Sequence, residues 1–316
     1  MKLSELVDYK NLIDGFVLDD IHHTARHRLD GVVHKVVNHH LQFNKYSDNI
    51  IADGHAIDRA FSKFSSTIKD IHGHLENLIE EQHGDYLAKS LQLYQDEMCF
   101  DTNEYILSRK MYMDPNSAEL LQGRILRYTD WRVPGLMFRP GLESFVEQLV
   151  PLDPLYLADE NLELLEPAKQ GFTPEYQRRL RLYAIPERAK PSQSLLHQLP
   201  ANQFGYVFAY NYFNFKPLEV INQYLSEIWD KLRPGGAVFM TYNDCDYAHG
   251  VALAERSYMC YTPGSMILSH AEKLGFELLH RHRGEGDVSW FEFQKPGEIT
   301  SLRGGQTLAK VVARPK

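Results

Sequence analysis

All fifteen prolines of this 316-residue chain lie at or beyond Pro115. Proline lacks a backbone donor and clashes with the preceding helical turn, so a long opening stretch without it, and with few glycines, is suited to run helical. Residues 1–128 are therefore expected to be helices. Within them Ile57, Phe61, Phe64, Ile68, Ile71, Leu75 and Leu78 follow one another at spacings of 4, 3, 4, 3, 4 and 3. The mean period is about 3.5, the mark of a left-handed coiled-coil seam. The register extends back through Leu29, Val33, Val36, Phe43 and Ile50, weakened by His40, Ser47 and Gly54 at the alternate seam positions. Asp30-Gly31 and Asp53-Gly54 are expected as turns that divide the region into two or three helices. After His83-Gly84 the seam gives way to a wider face, Leu87, Leu91, Tyr94 and Met98, expected to pack on the second half of the chain.

A two-position seam buries too little to hold a lone helix. It calls for a partner: a second copy, making a homo-oligomer through the N-terminal helices, or another helix of the same chain. Ten of the fifteen histidines precede residue 84. His22, His23 and His27 can share a helix face, whereas His72 and His74 cannot. No carboxylate or cysteine completes a ligand set at fixed spacing, so a histidine-rich solvated face is favoured and no metal is expected.

The formal net charge of -8 and a pI near 6.0 give no indication of a nucleic-acid partner. Cys99, Cys245 and Cys260 form no CxxC pair, which fits a reducing compartment and excludes a thiolate zinc cluster. The opening residues do not read as a signal peptide and no apolar run is long enough to span a membrane. A cytoplasmic location is expected.

From Tyr128 the texture changes to aromatic and β-branched clusters alternating with helical patterns and Pro/Gly turns, which predicts a parallel sheet with crossover helices. Strands are expected at 135–138, 155–159, 179–185, 204–210, 237–242, 276–279 and 289–294. Helices are expected at 144–150, 161–169, 217–232 and 263–274. The domains predicted are a helical oligomerisation region (1–128), a Rossmann-like α/β domain (129–297) and a C-terminal tail (298–316). The tail, with Arg303, Lys310, Arg314 and Lys316, is either a docking arm or a loose end.

The stretch Leu199-Pro200, Phe204 to Tyr210, then Leu232-Arg233-Pro234-Gly235-Gly236-Ala237-Val238, resembles the second half of class I S-adenosylmethionine-dependent methyltransferases. Those show LP, an FDxV-like strand, and a helix ending LKPGG before an apolar strand. The resemblance covers about half the chain (131–296) and implies a Rossmann-like sheet that binds S-adenosyl-L-methionine. In that family the first strand ends in an acid followed by a GxGxG loop. Here Met137 stands at the acid, Arg139 at the first glycine, Gly141 at the second and Glu143 at the third. The missing acid removes a partner for the cofactor ammonium. Arg139 adds bulk where the backbone should be bare, though a guanidinium also suits the cofactor carboxylate. Asp159 ends the second strand, where a carboxylate accepts ribose hydroxyls, or else caps the following helix. The resemblance thus implies Arg139, Gly141 and Asp159 as cofactor-binding residues.

Ligands in open α/β sheets sit beyond the carboxyl ends of the strands. Asn211-Tyr212-Phe213-Asn214, after the fourth strand, resembles the (D/N)PP(Y/F) motif of enzymes that methylate exocyclic amines, without its prolines. The alternative is aromatic packing under the turn. Asn243, Asp244, Cys245 and Asp246 follow the fifth strand, with His249 beyond. Asp244, Asp246 or His249 suits a general base, and turn formation is the alternative. Cys245 lacks an activating base and is expected to be inert. The catalytic candidates are therefore Asp244, His249, Asn211 and Tyr212. Two functions stay open: a methyltransferase of unknown acceptor, and a catalytically degenerate methyltransferase-fold protein acting in a larger protein assembly. Methyltransferase-like proteins of this build occur among tailed phages, so a virion is the alternative location.

Overall fold

A computed structural model describes residues 2–17, 47–95, 114–140, 145–186, 194–256, 260–284 and 288–298. The chain divides into two compact units, Met1–Asp85 and Tyr86–Lys316. The first holds helix α1 (Leu3–Val17) and most of helix α2 (Ser47–Gln95), which crosses the boundary. α2 runs unbroken through Gly54, so the turn expected at Asp53-Gly54 does not form. A helical glycine costs only about 1 kcal/mol relative to alanine, too little to stop so long a helix. On α2 Ile68 and Leu75 are partly covered and Ile79 is buried, while Ile71 and Leu78 each stand 41% exposed. The side chains of Ile50, Ile57, Phe61 and Phe64 lie outside the described residues, as do Leu29, Val33, Val36, Phe43, the Asp30-Gly31 turn and the three early histidines.

The second unit begins with the last turns of α2. Leu87 packs against its core, and Ser90 Oγ accepts the N–H of Tyr261 at 2.8 Å. The boundary expected at 128 falls inside this unit. Helix α3 (Pro115–Ile125) starts as its sequence dictates. Asp114 accepts the N–H groups of Asn116 and Ser117, and proline fills a first-turn position that needs no donor. There follow β1 (Gly135–Phe138), α4 (Phe145–Leu149), β2 (Leu155–Asp159), α5 (Leu162–Gln170), α6 (Pro174–Gln177), β3 (Leu180–Ala184) and β4 (Phe204–Ala209). After a 3-10 turn (Phe213–Phe215) come α7 (Leu218–Lys231), β5 (Leu232–Tyr242), α8 (Ala248–Glu255), α9 (Gly264–Leu274), β6 (Glu277–His282) and β7 (Ser289–Gln294).

The strands form one sheet in the order β3-β2-β1-β4-β5-β7-β6. β1 to β5 are parallel, and β7 runs antiparallel to both its neighbours. β4, Phe-Gly-Tyr-Val-Phe-Ala, is buried at every position because helices cover both faces, which is why it reads as a continuous apolar run. One face carries Ile221, Tyr224, Leu225 and Ile228 of α7 with Ile267 and Ala271 of α9. The other carries Leu121 and Ile125 of α3, with Phe145, Val146 and Leu149 of α4.

The Leu-Arg-Pro-Gly-Gly element is not a helix end, as the sequence suggests, but the first half of β5. α7 stops at Lys231 and the chain turns directly into a bulged strand, with Phe204 opposite Leu232 but Tyr206 opposite Ala237. Gly235 takes a φ of 76°, and a Cβ on Gly236 would lie 2.8 Å from the Phe204 carbonyl, so the bulge requires both glycines.

Candidate functional site

The winding of the sheet reverses between β1 and β4, and a crevice for ligands lies beyond the carboxyl ends of the strands at such a point. Arg139 directly follows β1 and continues its ladder, donating its N–H to Ala158 at 2.9 Å. Its φ is 53°, in the left-handed region where a side chain is strained and glycine is not. The side chain is wholly buried. Its Nε lies 3.6 Å from Asp159 Oδ2, its Nη1 donates to the Asn211 carbonyl at 3.4 Å, and its guanidinium carbon stands 4.9 Å from the centre of the Tyr212 ring.

Asp159, at the end of β2, is equally buried, and its Oδ1 accepts the Asn161 N–H at 2.8 Å. The cap of α5 is Asn161, which accepts the N–H of Glu163. The alternative read from the sequence, that Asp159 caps the helix, is thus displaced by two residues. Asn211 follows β4, also at a φ of 53°, and its N–H donates to Thr241 Oγ1 at 2.7 Å. Its side chain is 1% exposed, and both carboxamide atoms lack a hydrogen-bond partner among the described residues. Thr241 Oγ1 in turn donates to Asn214 Oδ1 at 2.8 Å. Arg139, Asp159, Asn211 and Tyr212 are therefore brought together; Gly141 lies outside the described residues.

Beneath this group lies a network that the sequence does not reveal. Glu160 accepts the Tyr212 hydroxyl at 3.1 Å and pairs with buried Lys216. Lys216 Nζ stands 5.0 Å from the Tyr212 ring centre and 5.2 Å from that of Tyr94, and the Tyr212 and Tyr224 hydroxyls meet at 2.7 Å. Glu160 and Lys216 are 56 positions apart, and no local pattern links them.

The cluster after β5 is organised differently. Asp244 Oδ2 accepts the Tyr242 hydroxyl at 2.8 Å and Arg281 Nη2 at 3.1 Å, while Oδ1 accepts the N–H of Gly264 at the start of α9. Asp246 accepts the Ser265 N–H at 2.8 Å and Arg281 at 3.0 Å. Burial first, and then the neighbouring Asp246, push the Asp244 carboxyl up. Both aspartates hold a helix start and a strand cation, an arrangement that anchors α9 rather than leaving a carboxylate open for proton transfer. Asn243 donates to the carbonyls of Gly250 and Cys260, each at 3.0 Å. His249 stands exposed in the first turn of α8, and the structure does not bring it to the Asn211 group. Burial pushes the Cys245 thiol well up, so it stays protonated. Among the described residues no group of three histidines, cysteines or acids is placed to hold a metal, and no helix is long and apolar enough to cross a membrane.

Five parallel strands in the order 3-2-1-4-5, followed by an antiparallel seventh inserted before the sixth, define the class I S-adenosylmethionine-dependent methyltransferase fold. No protein-family model and no curated protein matches the chain. Among solved structures it is similar to the N-methyltransferase NodS from Bradyrhizobium japonicum WM9 in complex with S-adenosyl-l-homocysteine, at 15% identity over 66% of this chain and 98% of that one, with a TM-score of 0.41. It is also similar to a SAM-dependent methyltransferase from Aquifex aeolicus, at 12% identity over 66% and 98%, TM-score 0.40. A third is the [4+2]-cyclase SpnF, at 12% identity over 66% and 97%, TM-score 0.45. The fold assignment is carried by the strand order and by none of these likenesses.

Proposed function

We propose that this protein is a methyltransferase-fold component of a larger assembly that does not itself carry out S-adenosylmethionine-dependent methyl transfer. The observation that carries the reading is the buried Arg139–Asp159 pair. The carboxylate that the family resemblance assigns to the cofactor ribose is already engaged by a guanidinium and by the Asn161 N–H. Arg139 also brings a positive charge to the carboxyl end of β1, which is unfavourable to a positively charged sulfonium ligand nearby. As they stand, these residues do not fit that cofactor, and no catalytic step is routed through it. Assembly falls to the N-terminal seam, whose members Ile71 and Leu78 present apolar surface, with a second copy of the chain as the partner.

The second reading, a methyltransferase of unknown acceptor, is favoured by the orphaned carboxamide of Asn211 at the end of β4. Calorimetric titration with S-adenosylmethionine and S-adenosylhomocysteine separates the two. Absence of heat at millimolar ligand is expected. Micromolar binding that disappears in Asp159→Ala sinks the first reading in favour of the second.

A further inference from the structure

We propose that helix α3 is a pH-released strap, closed over the β7–β6 side of the sheet near neutral pH and lifting as the pH falls, before the sheet itself unfolds. The inference goes beyond the proposed function and does not depend on it.

The hold of α3 on the sheet is narrow. Of its eleven residues only Ser117, Leu121 and Ile125 are buried. Two polar links fasten it: Arg124 Nε donates to the Glu292 carboxylate on β7, and Ser117 Oγ stands 3.3 Å from His282 Nε2 on β6. On the face that α3 covers, Glu292 Oε2, Trp290 Nε1, Tyr206 Oη and His280 Nε2 are shielded from solvent and lack a hydrogen-bond partner among the described residues. His280 lies opposite Glu292 and His282 opposite Trp290, whose indole packs in one core cluster with Tyr206, Leu121 and Ile125. Shielded polar atoms without partners are costly, and water restores their bonds once the helix lifts. A segment with little buried apolar surface above such groups belongs to those that open first.

Charge sets the direction in which pH acts. His280 is faced by Arg124 of α3, by Arg127 just beyond it and by His282 on its own strand. Glu292 is the carboxylate opposite, and the stacked phenols of Tyr128 and Tyr206 complete the surroundings. Burial first, and then Arg124, hold the His280 imidazole down at about 4 while the helix is closed. With α3 lifted it returns toward the ordinary value of about 6.5. Between those values the open state binds a proton that the closed state refuses, so opening gains up to about tenfold per unit as the pH falls.

The test is hydrogen exchange of the full chain read by mass spectrometry from about pH 7 to about pH 4.5, with protection corrected for the intrinsic pH dependence of exchange. Peptides of α3 are expected to be at least about tenfold less protected than those of β4 throughout, and to lose at least another tenfold across the window. Their protection should resist low urea, because lifting one helix exposes little surface, whereas that of β4 should fall. His280→Gln is expected to abolish the pH dependence in α3. Equal protection of α3 and β4, or α3 protection that does not change with pH, overturns the strap. A folded His280→Gln chain that keeps the full pH dependence overturns the assignment to His280. If that variant does not fold, the wild-type series still decides, since it needs no substitution.

Discussion

Arg139 and Asp159 hold opposite charges at a site without access to water. Such a pair contributes little net stability, because desolvation offsets the attraction, but losing one member strands the other. Arg139→Met is therefore expected to lower stability by about 3–5 kcal/mol, and Arg139→Met/Asp159→Leu by far less, read from urea midpoints as a double-mutant cycle. A second residue-scale effect belongs to His280. Burial first, and then the positive charge of Arg124, pull its imidazole down to about 4. Unfolded, it titrates near the ordinary histidine value of about 6.5. Between those values the unfolded chain binds a proton that the folded one does not, so stability falls as pH drops from about 6.5 to about 4. His280→Gln should flatten that decline; an unchanged slope in urea midpoints across the window would exclude the effect. The place of Asp159 at the end of β2 was legible in the sequence because the acid closes an apolar run. Arg139 could be set at a glycine position, but its inward turn depends on a φ that no spacing encodes.

At the scale of elements, α9 hangs on two aspartates from the loop after β5. Asp244 and Asp246 together satisfy the N–H groups of Gly264 and Ser265, and Gly264 itself is tightly enclosed: a Cβ there would lie 2.6 Å from the Tyr242 hydroxyl. Asp246→Ala is expected to cost about 0.5–2 kcal/mol, as for loss of a helix cap, and Asp244→Ala more, because its buried carboxylate also accepts the Tyr242 hydroxyl; chemical denaturation checks both. The sequence marks these acids as a dense polar cluster at a strand end. What it leaves out is that their partners lie 19 to 37 residues downstream, so a structural cap and a general base look alike from the sequence. Strand positions were legible for a simpler reason: buried parallel strands are short apolar runs bounded by glycine and proline. The exception is β5, where Arg233-Pro234-Gly235-Gly236 has turn composition but lies in a bulge.

At the scale of the whole molecule, the proposed assembly depends on the first unit. Ile71→Asp/Leu78→Asp places charges on the exposed part of the seam and is expected to reduce an oligomer of the full chain to a monomer in light scattering. A wild type that is already monomeric would refute the self-association. The period of the seam was plain in the sequence, but a repeat of apolar residues does not say which helix covers it. The sheet bears on the same question through its two open borders. At β3 the Arg181 guanidinium bonds to the carbonyls of Arg178 and Leu180, main-chain acceptors that an incoming strand would need. At β6 the pairing with β7 slips between Leu278 and His280, and Arg281 is drawn toward the aspartates. An irregular, charge-bearing border is a poor template for edge-to-edge addition. Any growth of this protein into a larger body is thereby steered away from sheet extension, and copies that meet border to border find no continuous ladder to share.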